Sequence, residues 1–101
     1  SDVTEKFNGS TWSASGSLNA AKTDLGGSGI QNAGLSFGGS PNGVLNSATV
    51  EKFSGSAWSY AVSLNTARRW LSGSGIQSAT LSFGGWTGEG LESDTGIVRF
   101  T

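Results

Sequence analysis

The sequence predicts an all-β chain built from one small antiparallel sheet that is used more than once. Three observations carry this. The segment Gly29–Gly39, GIQNAGLSFGG, returns 46 residues later as GIQSATLSFGG at Gly75–Gly85, and about 25 of the 43 positions from Glu5 to Ser47 are identical at that offset, which marks an internal repeat. Within the two copies Ala33, Leu35 and Phe37, and likewise Ala79, Leu81 and Phe83, alternate with small or polar residues, a period of 2 that belongs to strands. Glycine supplies 17 of 101 residues, well above its usual share of about 7%, and each copy ends in a pair of them, where the backbone can turn or pass close to another segment.

Taken in order, Val3 to Phe7 reads as a strand and Asn8-Gly9 as a hairpin turn. A second strand follows around Thr11 to Ala14 and carries Trp12. The later repeat has the same hairpin: Val50 to Phe53, a turn at Ser54-Gly55-Ser56, then Trp58. Both tryptophans read as packing anchors. A polar connection comes next (SASGSLNAAK, SYAVSLNTAR), then a glycine-rich segment (DLGGSGI, WLSGSGI) whose small side chains suit a crowded inner strand. The double-glycine strand, a loop (SPNGVLNSAT, WTGEGLESDT) and the next Val-Glu-Lys-Phe strand complete the period; GIVRF near the end echoes that last strand with one residue inserted. No segment has helical periodicity.

Composition excludes several classes. With no cysteine and no histidine, disulfides, zinc and haem ligation, thiol nucleophiles and Ser-His triads are removed together. Lack of cysteine suits an oxidising or a reducing compartment alike, so localisation stays open. Six basic and seven acidic residues are scattered along the chain for a net charge of −1, which gives no footprint for nucleic acid. No apolar run approaches the roughly 18 residues of a membrane span, and no charged-then-apolar leader opens the chain, so no membrane partner is expected. Four tryptophans and five phenylalanines argue against a disordered linker.

Four short strands per period of 46 residues, glycine-rich innermost and tryptophan outermost, fit a β-propeller blade. The order Gly38-Gly39, then Val50-Glu51-Lys52-Phe53, then Trp58, then Leu64-Asn65-Thr66-Ala67-Arg68 resembles the kelch repeat. The resemblance covers essentially the whole chain and speaks to fold more than to function. It departs at Lys22, which stands where the second repeat has Arg68, and at the aromatic before each double glycine, Phe37 or Phe83, which follows a serine. The kelch-like fold also occurs in copper oxidases, but their Tyr-Cys and His ligands have no counterpart, since Tyr60 is the sole tyrosine. No cofactor is expected.

The blade reading divides the chain into outer strands at 1–21, a full blade at 22–67, and three strands of a second blade at 68–101. Two blades cannot close a ring, and repeats of this kind bury their faces only against neighbours. Leu35, Phe37, Leu81 and Phe83, at roughly 1.5 to 3 kcal/mol each, make an open ring costly. The expected partner is therefore a second copy of the chain in a cyclic homo-oligomer: a six-bladed trimer first, by resemblance to six-bladed kelch-like rings, and an eight-bladed tetramer second. The Trp12 strand of the next copy would complete the last blade. Val3 to Phe7 and Ile97 to Phe100 then both claim its third place; the hairpin tied to the Trp12 strand is expected to win or to push the other outward.

For function, the loops at one end of the blades hold the candidates. Asn19, Asp24, Trp86 and Glu89, with Asn65, Arg68, Arg69 and Trp70, lie near the start of the inner strand or in the loop after the double glycine. The two repeats differ most here: Asp24 against Trp70, Thr23 against Arg69, Ser40 against Trp86. An aromatic plate beside amide, guanidinium and carboxylate groups is what a sugar ring or a peptide uses, Trp86 being favoured over Trp70. The bland reading is that Trp70 packs between blades and Trp86 covers its loop. Glu89, Glu92 and Asp94 lack the spacing of a calcium loop and read as solvated. A carboxylate pair for glycoside hydrolysis, such as Asp24 with Glu89, has to sit about 5 to 9.5 Å apart, and such pairs arise easily by accident. Glu5 and Glu51 read as hydrogen-bonding to Arg68, Lys22 or a loop backbone of an adjacent blade. The expectation is a non-enzymatic glycan- or protein-binding ring; a purely structural fragment is the alternative, and a hydrolase a weaker one.

Overall fold

The computed structural model describes residues 1–87 and the backbone of residues 97–100. It is all-β, with no helix among the described residues. Nine strands form in chain order: β1 (Thr4–Phe7), β2 (Trp12–Ser15), β3 (Gly26–Ile30), β4 (Ala33–Phe37), β5 (Val50–Phe53), β6 (Trp58–Ala61), β7 (Arg69–Ile76), β8 (Ala79–Trp86) and β9 (Ile97–Phe100). They make three antiparallel sheets ordered β1-β2, β3-β4-β5-β6 and β7-β8-β9. Every neighbour in a sheet is the neighbour in sequence, so each sheet is a meander, with tight turns closing β1-β2, β3-β4, β5-β6 and β7-β8 and the loop 38–49 joining β4 to β5.

Local chemistry explains the turns. The Asn8 side-chain oxygen accepts from the backbone N–H groups of Ser10 and Thr11, both at 2.9 Å, the self-capping that makes asparagine a turn residue. The Ser54 hydroxyl takes the same role toward Ala57. The double glycine Gly38-Gly39 follows β4, whereas its counterpart Gly84-Gly85 lies inside β8. Gly39 has φ 92°, and a Cβ there would come within 2.7 Å of the Thr23 carbonyl, so the bridge between Thr23 and Ser40 needs glycine.

The core lies between the second and third sheets. Leu35, Phe37 and Val50 of one sheet and Leu71 of the next form one buried cluster, with Ala61 and Leu64 against it. The inner strands β3 and β7 approach closely because Gly73 carries no side chain: a Cβ there would come within 3.1 Å of the Gly27 carbonyl and run into the Phe37 ring. The opposite face of β8 is buried through small polar groups: Thr80 and Ser82 are both buried, and the Thr80 hydroxyl meets the Ser28 hydroxyl at 2.5 Å while donating to the Ser74 carbonyl.

The repeat extends to the backbone hydrogen bonds. Leu18 donates to Asp2, and 46 residues on Leu64 donates to Ala48; Lys22 donates to Ser1, and Arg68 to Ser47. The first connection is therefore anchored on the approach to β1 in the way the second is anchored on the approach to β5. Within the chain it is β9 that lies beside β8, with Ile97 opposite Phe83 and Phe100 opposite Thr80; the Val3 hairpin stays paired with itself.

Candidate binding face and open flanks

Arg69, Trp70 and Trp86 are brought together where β7 begins and β8 ends, because Arg69 and Trp86 are register partners. The Arg69 guanidinium carbon lies 4.6 Å from the Trp70 ring centroid and 4.7 Å from that of Trp86. The two rings are 5.5 Å apart at 40°. Arg69 is buried and donates to the Gly43 carbonyl at 2.7 Å, and a desolvated cation on aromatic faces gains up to about 2 kcal/mol. Its Nε, also buried, has no hydrogen-bond partner among the described residues.

The aromatic plate open to solvent is Trp70, which is 57% exposed. Trp86 is half-buried, and its carbonyl accepts from the Asn46 side chain at 3.1 Å. Trp70 has φ 56° and Asp24, its repeat counterpart, φ 57°. Side chains other than glycine rarely hold that conformation, and a bulky one there is a genuine outlier. The Trp70 N–H donates to the Asp24 carbonyl at 2.9 Å, so the same strained position in two successive sheets is tied by one hydrogen bond.

The remaining candidates separate. Arg68 is buried and donates to the Gly84 carbonyl at 2.9 Å, holding the double glycine of β8. Lys22 at the equivalent place donates instead to the Thr49 hydroxyl at 2.9 Å. Burial pushes the Lys22 amine below its ordinary value of 10.5, against a smaller upward pull from Glu51. Asn19 donates to the Trp58 carbonyl, and Asn65 is exposed. Glu89 lies outside the described residues, as do Glu92 and Asp94. Among the described residues no three acidic side chains gather where they could hold a metal ion.

Glu51 is fully buried. Its two carboxylate oxygens accept from the backbone N–H groups of Asn19 at 2.7 Å and Ala20 at 3.2 Å, which caps the connection leading into β3. Two glutamines, easily passed over in the sequence as polar turn residues, link one sheet to the next. Gln77 donates to the carbonyls of Gly34 at 3.0 Å and Phe53 at 2.8 Å, and Gln31 to Phe7 at 2.7 Å. Their signal in the sequence was identity at a turn position where turn geometry asks for no glutamine.

The flanks differ from the middle. Leu35 and Phe37 are 3% and 1% exposed, while their counterparts Leu81 and Phe83 are 41% and 40%. Phe53 is buried, and its counterpart Phe7 is exposed beside the exposed Trp12. The family-model scan and the search of curated proteins both found nothing that matches the chain.

Proposed function

We propose that the chain is a self-associating β-propeller module of kelch-like type, two blades per chain. Copies would close into a ring of six blades from three chains, with eight from four as the second choice. The observation that carries this is the contrast between Leu35 with Phe37 and Leu81 with Phe83: the same residues, in the same register against their inner strands, are covered where another sheet follows and about 40% exposed where none does among the described residues. Leu81 and Phe83 are 41% and 40% exposed, so covering the rest of both favours association by about 1 to 2.5 kcal/mol before the costs of binding, in proportion to the gain for complete burial.

The loop end would then act as a non-enzymatic binding platform for glycan or protein, repeated around the ring so that weak contacts add by avidity. Trp70 supplies the exposed plate and the Asp24 and Asn46 region the polar groups beside it. The competing reading, a ring that is only structural, is favoured by Arg69, which already lies on both indole rings. Glycan-array binding by the assembled protein, lost in Trp70→Ala with assembly intact, supports the platform; an empty array with intact assembly leaves the structural ring. Mass in solution tests the assembly itself.

A further inference from the structure

Within the chain, β9 stands where β5 stands one repeat earlier, and the two are not equivalent. Ser36 pairs with Glu51 in one sheet, and Ser82, its counterpart, pairs with Val98 in the next. The carboxylate that caps Asn19 and Ala20 therefore has no equivalent on β9. Asn65 and Thr66 are the counterparts of Asn19 and Ala20, and among the described residues nothing accepts from their backbone N–H groups. The true counterpart of Glu51 is Glu5 on β1, which is exposed.

Given the ring proposed above, on which this rests, we infer that β1 of a second copy pairs with β8 in place of β9, and that its Glu5 accepts from the Asn65 and Thr66 amides. The register follows from β4 and β5: Glu5 opposite Ser82, and Lys6 opposite Leu81. A second, independent contact closes at the same seam. Gln77 bridges two carbonyls on the preceding sheet, Gly34 and Phe53, whereas Gln31 reaches only Phe7. The counterpart of Gly34 is Thr80, whose carbonyl on the neighbouring copy's β8 comes beside Phe7 in this register and supplies the second acceptor. The surface is thus a strand slot with a two-amide socket at one end, and its occupant is another copy of this chain.

The chain has no cysteine, so paired substitutions report register directly. Antiparallel partners have Cα atoms about 4.5 to 5.5 Å apart, within disulfide reach. In the assembled protein, Lys6→Cys with Leu81→Cys should give covalently linked chains on oxidation, and Arg99→Cys with Leu81→Cys should give no link. Glu5→Ala should weaken assembly about 10-fold to 100-fold, the usual effect of a hydrogen bond to a charged group, while leaving single-chain stability unchanged because Glu5 is exposed there. An assembled protein that links through Arg99→Cys within one chain, and is indifferent to Glu5→Ala, overturns the strand exchange and spares the ring. A protein that stays a single chain overturns both.

Discussion

Leu35 and Leu81 hold the same position in successive repeats, yet Leu35 is 3% exposed and Leu81 41%. Leu35 sits in a cluster with Phe37, Val50 and Leu71, whose last member comes from the following sheet. Leu81 is followed by Phe83 in the same alternation, and among the described residues no further sheet lies beyond its own. The difference between the two residues is one of neighbours, and under the proposed ring it separates substitutions that unfold the chain from substitutions that weaken assembly.

Phe37→Ala should cost about 3 to 5 kcal/mol of chain stability, the usual range for deleting a buried phenylalanine ring. Phe83→Ala should leave single-chain stability within about 0.5 kcal/mol, as at ordinary surface sites, and raise the concentration at which copies assemble. Urea unfolding of both variants, at two protein concentrations, separates the effects.

Glu51→Ala should destabilise by about 1.5 to 3 kcal/mol, since it removes a charged acceptor and strands two backbone donors. Glu51→Gln keeps one acceptor oxygen and should fall between. Amide hydrogen exchange at Asn19 and Ala20 reads the loss locally: both should exchange faster in Glu51→Ala.

Lys22 gives a pH dependence of known sign. Its folded pKa lies below 10.5, so between the folded value and 10.5 the unfolded chain binds more protons than the folded one. Stability should rise as pH rises through that window, and the cost of burying the charge is fully present below it. Lys22→Met should flatten this alkaline rise in a series of thermal melts, and an unchanged slope would assign the rise to other groups.

Gly39→Ala should destabilise by more than about 1 kcal/mol, because alanine is strained at positive φ and its Cβ would meet the Thr23 carbonyl. Gly43→Ala is the control for strain alone: its φ is 80°, and a Cβ there meets nothing within 4 Å. The excess of the first over the second, by thermal melting, measures the contact.

The strands and their order were legible because alternation and a 46-residue repeat are written directly in residue type. Glu51 was legible as a structural hydrogen-bonding group, since a carboxylate between apolar strand neighbours must be satisfied. The site was read less well. Trp86 was favoured over Trp70, but exposure depends on which ring the chain turns outward, and the left-handed backbone at Trp70 has no residue-type signal. The Arg69 stack was equally hidden, because it joins residues on two strands whose register the loops set. Gln31 and Gln77 were missed since their acceptors lie on a different sheet, a distance that local pattern does not encode.

Light-scattering mass as a function of concentration tests the central claim most directly. A closed species of three chains, or of four, is expected, with melting that shifts to higher temperature as protein concentration rises and a loss of that species in Phe83→Ala. A single 10.2 kDa chain at every concentration, melting independently of it, would contradict the account.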